Sequence, residues 1–82
     1  MPNTKRSSES VTSMEILTIV ALLRDLPEQG LLRGEAGTVV ECLSPTAVEV
    51  EFVDPGGRTR ALVAVNTEDL LVLHLNPVPQ VA

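Results

Sequence analysis

Val48-Glu49-Val50-Glu51-Phe52-Val53-Asp54-Pro55-Gly56-Gly57 is the stretch that decides how this chain folds. Apolar and acidic side chains alternate with a period of two. A strand with that pattern buries Val48, Val50 and Phe52 on one face and leaves Glu49 and Glu51 in water on the other. Asp54 to Gly57 then closes as a hairpin turn, with proline presetting φ and glycine supplying a left-handed position. The pattern predicts a strand over Ala47–Val53 and a partner strand over Arg58–Val65. On the partner strand Ala61, Val63 and Val65 face inward, while Arg58 and Arg60 face outward, set to pair with Glu49 and Glu51 across the hairpin.

Upstream, Arg33-Gly34-Glu35-Ala36-Gly37 is a glycine-punctuated turn that launches a strand over Thr38–Leu43, and Ser44-Pro45-Thr46 is a tight connection. The apolar run from Ile16 to Leu23 predicts a first strand over residues 18–24, with a helix beginning at Ser13 as the competing reading. Asp25 to Gly30 is a loop, after which Leu31 and Leu32 fold back over one end of the core. Downstream, Asn66 to Asp69 reads as a single helical turn capped by Asn66 or Thr67, and Leu70 to His74 as a short last strand. The order of elements predicts an all-β fold: a small five-stranded SH3-like barrel over residues 14–76. Residues 1–13 and 77–82 form flexible tails around it. The alternative is an open five-stranded sheet capped by an N-terminal helix.

The chain has 82 residues and a net charge of −5, with one aromatic residue, Phe52. One domain of this size buries only about 60% of its unfolded surface, so its core rests on Val, Leu, Ile and Ala with a thin margin. The acidic balance disfavours phosphate backbones and favours a cationic partner. Cys42 is the only cysteine, which excludes an internal disulfide and suits a reducing, cytoplasmic compartment. The apolar run at residues 16–23 is far shorter than the ~20 residues of a membrane span, and Arg24-Asp25 follows it instead of a cleavage site.

No catalytic, cofactor or metal constellation emerges. His74 is the sole histidine and has no second ligand at metal spacing, so it reads as a surface residue. Cys42 sits beside Glu41, the wrong charge to activate a thiolate, and reads as a small buried hydrophobe. Asp25, Glu28 and Glu35 match no calcium loop and read as an acidic rim. Gly34-x-x-Gly37 lacks the Lys-Ser/Thr ending of a phosphate loop, so its glycines serve turn geometry.

Three segments together resemble a bacterial family called domain of unknown function 4926: Leu23-Arg24-Asp25-Leu26-Pro27-Glu28-Gln29-Gly30-Leu31, Arg33 to Glu41, and Glu49 to Asp54. In that family a "DLPEHGL" loop, a "GxxGTVV" turn and strand and a "YEVEF" strand recur in this order. Gln29 stands where the family often has histidine, and Ala47-Val48 replaces an aromatic residue. The resemblance covers about residues 14–74; it implies the fold and leaves the activity open. Gly34–Glu41 is also similar to the glycine turn of KOW domains and to the barrel ends of nitrile hydratase β subunits, which are likenesses of shape.

These readings favour a non-catalytic protein-binding module, of antitoxin or immunity type or an accessory subunit, with a basic protein partner. Its contact residues are Leu26, Leu31 and Leu32 as apolar anchors, Glu28 and Glu35 as a charged rim, and Arg58 and Arg60 as a charged stripe. The alternative function is a KOW-like nucleic-acid-binding domain.

Overall fold

β3, Ala47–Val53, forms over the residues that the alternation marks, and its burial follows the same period: Val48, Val50 and Phe52 are buried, with Val53 at the end exposed. The computed structural model describes residues 14–74. Around β3 stand β1 (Ile19–Leu22), β2 (Ala36–Ser44), β4 (Thr59–Asn66) and β5 (Leu70–Val72), all antiparallel, in the order β4-β3-β2-β1-β5. A single 3₁₀ turn lies in the β1–β2 loop at Pro27–Gln29, and another joins β4 to β5 at Thr67–Asp69. Asn66 occupies the cap position of the second turn, although its side chain makes no capping bond. No α-helix occurs among the described residues, so the N-terminal helix of the alternative reading is absent there. The expected tails lie outside the described residues.

The all-β architecture is as expected, but the sheet is not closed into a barrel. β4 and β5 are its two edges and do not pair with each other. Curvature comes from three breaks in register, and each adds twist where an extra residue is left unpaired. Val40 is extra between the Val39↔Val50 and Glu41↔Glu49 pairs, and Leu43 between Cys42↔Val48 and Ser44↔Ala47. On β4, Arg60 is extra between Phe52↔Ala61 and Val53↔Thr59. The concave face encloses the core: Val20, Leu22, Leu31, Val39, Val48, Val50, Phe52, Val65 and Leu70.

Two residues are placed otherwise than expected. Cys42 is exposed, contrary to the expected burial, and its thiol donates to the Met14 carbonyl at 2.9 Å. The slip at Val40 places Cys42 opposite buried Val48 and so on the same face; it is exposed because it lies in the last residues of β2, Glu41 to Ser44, all of which are exposed. Arg60, having no cross-strand partner, does not pair with Glu49 or Glu51 as its spacing suggests; its side chain turns to the β1–β2 loop.

On the convex face, Glu41 and Glu49 stand directly opposite each other. Like charges in that position are destabilising. Glu49→Lys is therefore expected to raise stability by about 0.2–1 kcal/mol. A urea melt showing a lower midpoint for this variant would contradict the register of β2 against β3.

Candidate functional site

The β1–β2 loop is long, and it is held by its own polar groups. Leu26 and Leu31 form an isolated bridge: the Leu26 N–H donates to the Leu31 carbonyl at 2.9 Å, and the Leu31 N–H returns to Leu26 at 3.1 Å. Between them, Pro27–Gln29 make a 3₁₀ turn inside what the sequence predicts as loop. Pro27 begins it because a first-turn residue needs no intrahelical donor. At the neck of the loop, Asp25 Oδ1 accepts from the Arg33 N–H at 2.8 Å. Gly34, at φ 92°, takes a left-handed conformation that costs glycine nothing, and its N–H donates to the Leu22 carbonyl at 2.8 Å. The Leu22 N–H in turn donates to the Glu35 carbonyl at 2.9 Å.

Arg60 reaches this loop from β4. Its guanidinium donates to Glu35 Oε1 and to the Gly30 carbonyl, both at 2.5 Å. The other oxygen of Glu35, Oε2, accepts from the Leu32 N–H at 2.9 Å. One forked cation thus bridges an edge strand to two points of the loop, and a carboxylate relays the connection to a third. At the opposite side of the loop, Arg24 Nε pairs with Asp69 Oδ2 at 3.1 Å, while the Leu23 N–H donates to the Asp69 carbonyl at 2.8 Å. The loop is therefore fastened to β4 and to the turn before β5, across the gap that the sheet leaves open.

The Leu32 amide is the main reason that the Glu35 carboxyl lies below its usual value of 4.5. Desolvation opposes that shift, and the hydrogen bond and charge of Arg60 add to it. A carboxylate with a depressed folded pKa stabilises the fold above its unfolded pKa, and the contribution is lost as pH falls through the folded value. Wild-type protein should therefore lose stability on acidification below about pH 4.5, while Glu35→Gln should show a shallower loss over the same window. Thermal melts recorded at steps from neutral pH downward check this; parallel curves for the two proteins would exclude a role for this carboxylate.

The expected contact residues divide clearly. Leu31 is fully buried and Leu26 packs against the core, so neither offers an anchor to a partner. Leu32 is 61% exposed at the shoulder of the loop, and Glu28 is exposed on the 3₁₀ turn. Glu35 and Arg60 are engaged with each other. Arg58 is exposed beside the β3–β4 turn, where its N–H donates to Asp54 Oδ1 at 3.0 Å. What the loop presents to solvent is thus Leu32, with the less exposed Leu23 at its start and carboxylates at Asp25 and Glu28. Ile16 and Leu17, both exposed, precede β1, and Leu17 holds φ 78°, a strained position for a branched side chain.

His74 is exposed beyond the end of β5. Among the described residues no three His, Cys, Asp or Glu side chains are grouped to hold a metal ion, and no helix is long and apolar enough to cross a membrane.

Fold and site together define a small antiparallel β domain whose first loop is rigidly tied and carries an exposed leucine among acids. The chain belongs to the family described as Domain of unknown function (DUF4926), whose profile matches residues 16–72. That match spans β1 to β5 and includes the whole tied loop. No curated protein matches the chain. No solved structure matches it either.

Proposed function

We propose that this domain is a non-catalytic protein-binding module that docks a partner of basic surface on its β1–β2 loop. The observation that carries this reading is Leu32, 61% exposed on a loop fastened at several points. A large apolar side chain on backbone already fixed by hydrogen bonds leaves little loop ordering to be lost on binding, which is what an interface anchor needs. Asp25 and Glu28 on the same loop favour a cationic partner and speed its approach. A small acidic module of this kind suits an antitoxin or immunity role, masking a basic surface, or the role of an accessory subunit. The single cysteine suits the cytoplasm.

Affinity capture with the full chain, in cells that carry it naturally, tests this reading. Wild type should recover a protein in stoichiometric amount, and Leu32→Asp should recover at least about tenfold less while melting within about 0.5 kcal/mol of wild type, as an exposed substitution does. Equal capture by both, or no stoichiometric protein with either, counts against the reading. The KOW-like nucleic-acid alternative rests on Gly34–Glu41; it requires a gel shift at low salt that weakens steeply as salt rises.

A further inference from the structure

β4 is an edge strand, and its free side does not face open water alone. Residues 24–29 of the β1–β2 loop form one wall of a groove, and Ala64 of β4 forms the other. Next to the groove, Arg60 spans from β4 to the Gly30 carbonyl. From Ala61 to Asn66 the edge contains no charged residue and no proline. Its backbone groups make no main-chain bond beyond those to β3 among the described residues. Natural sheets usually protect so long an edge with charge, proline, a bulge or a cover. Here the one bulge, at Arg60, lies near the start of the strand and leaves the rest available.

Among the described residues Arg24 is the one cation that lines the groove, and the charges there without an ion-pair partner are acidic. Asp25 and Glu28 stand on the loop wall, and Glu49 lies opposite Ala64 on β3. The cations nearby are already engaged, Arg24 by Asp69 and Arg60 by Glu35. Ala64 is exposed and has only a methyl group, so a long side chain facing it has room to extend over β4 toward Glu49. Leu62, two residues away on the same face, is 54% exposed and lies opposite Glu51 on β3, so the aliphatic stem of a second long cation can lie over it. A segment that pairs with β4 would therefore place its cations on the face of Ala64 and Leu62, which carries Glu49 and Glu51 on β3, and its apolar side chains on the opposite face beside Ala61 and Val63, an alternation with the period of a strand.

From this we infer that the groove between β4 and the β1–β2 loop receives an extended cationic segment of a protein partner, which adds to β4 as a sixth strand. The inference rests on the protein-binding reading above and names how the partner is held: main-chain hydrogen bonds supply affinity, and alternate cations supply selectivity. A second copy of this chain fits poorly, because it would bring the same carboxylates against those already present. Nucleic acid is repelled for the same reason.

The probe is a short capped peptide of strictly alternating lysine and valine, titrated into the ¹⁵N-labelled full chain. The expected result is movement of the Ala61–Asn66 amide signals together with slowed hydrogen exchange on β4. Glu28→Lys, which reverses a wall charge, and Ala64→Arg, which fills the lane, should each weaken binding about five- to tenfold with the remaining spectrum unchanged. A peptide of the same composition with its lysines and valines in separate blocks should bind about tenfold more weakly, because it cannot alternate along the edge.

Equal binding of the block peptide would reduce the effect to bulk charge attraction and overturn the inference. Shifts confined to residues 25–33, with β4 unchanged, would also overturn strand addition while leaving the loop as the binding surface. Peptide-independent shifts on β4 that grow with protein concentration, with a dimer in sedimentation, would assign the edge to a second copy instead. Absence of shifts at both places overturns the inference, and the capture experiment with Leu32→Asp then decides separately whether the loop binds a partner at all.

Discussion

Val50→Asp is expected to leave the domain unfolded at room temperature. Val50 is fully buried at the middle of β3, flanked by Val39 on β2 and Val63 on β4. No buried polar or charged residue lies among the described ones, so nothing in the core could pair with a carboxylate placed there. Burying an ionised group without a partner costs several kcal/mol, and losing the valine's own contacts adds to it, for a total of about 4–5 kcal/mol or more. A domain of this size holds on the order of 5 kcal/mol in all. Far-UV circular dichroism and a urea titration measure the outcome. A cooperative transition near the wild-type midpoint would mean that Val50 faces water and that β3 is assigned to the wrong face throughout, since a slip of one residue moves every side chain across the sheet.

Gly37→Ala should have the second-largest effect, through volume alone. A Cβ at Gly37 would lie 2.7 Å from Val50 Cγ1, 2.8 Å from the Glu51 carbonyl oxygen and 2.9 Å from Phe52 Cδ2. The carbonyl belongs to a strand of the sheet and cannot step aside, and the two side chains are themselves fully packed. Overpacking of a core costs about 1–3 kcal/mol and more where backbone blocks relaxation, so a loss of about 3 kcal/mol is expected. For a domain of 60–100 residues, that corresponds to a fall of roughly 12–24 °C in Tm. Gly34→Ala is the informative comparison, because its Cβ would meet nothing within 4 Å and only the left-handed φ is strained. That variant should lose about 1 kcal/mol. If calorimetry ranked the two in the opposite order, the close approach of β2 to β3 at Gly37 would be wrong.

This contrast shows how far the chain could be read without coordinates. Gly34 and Gly37 lie three residues apart and both look like turn glycines. Gly34 is one, whereas Gly37 lies within β2, where the inner face of the sheet has no room for a side chain. Crowding from Val50 and Phe52 comes from residues more than a dozen positions away, and local spacing does not record it. β3 was legible to the residue, and β2, β4, the Thr67–Asp69 turn and β5 within two residues or less, because a period of two and a turn signal are local quantities. β1 is shorter than its apolar run, since Leu23 and Arg24 leave the ladder to meet Asp69.

The candidate site was legible as a region and misread in its parts. The loop from Asp25 to Glu35 stood out by its proline, glycines and acids. Which of its leucines plugs the core and which meets solvent depends on the direction in which the Leu26–Leu31 bridge folds over the sheet. The extra residue on β4 likewise has no sequence signature, so Arg60 read as half of a cross-strand ion pair when it is the strut that fastens the loop.

By itself, then, the amino-acid order determined an all-β chain, the inward and outward faces of β3 and the place of the turns on either side of β3 and before β5. It did so because alternation and backbone preference act between near neighbours. Only the tertiary structure decided that the sheet stays open and that the first loop is tied across its gap. It also decided that Cys42 is exposed and that β4 borders an acidic groove. Those outcomes depend on bulges and on contacts between residues some 25 to 30 positions apart, such as Arg60 with Glu35 and Gly30, whose geometry exists only once the chain has closed on itself.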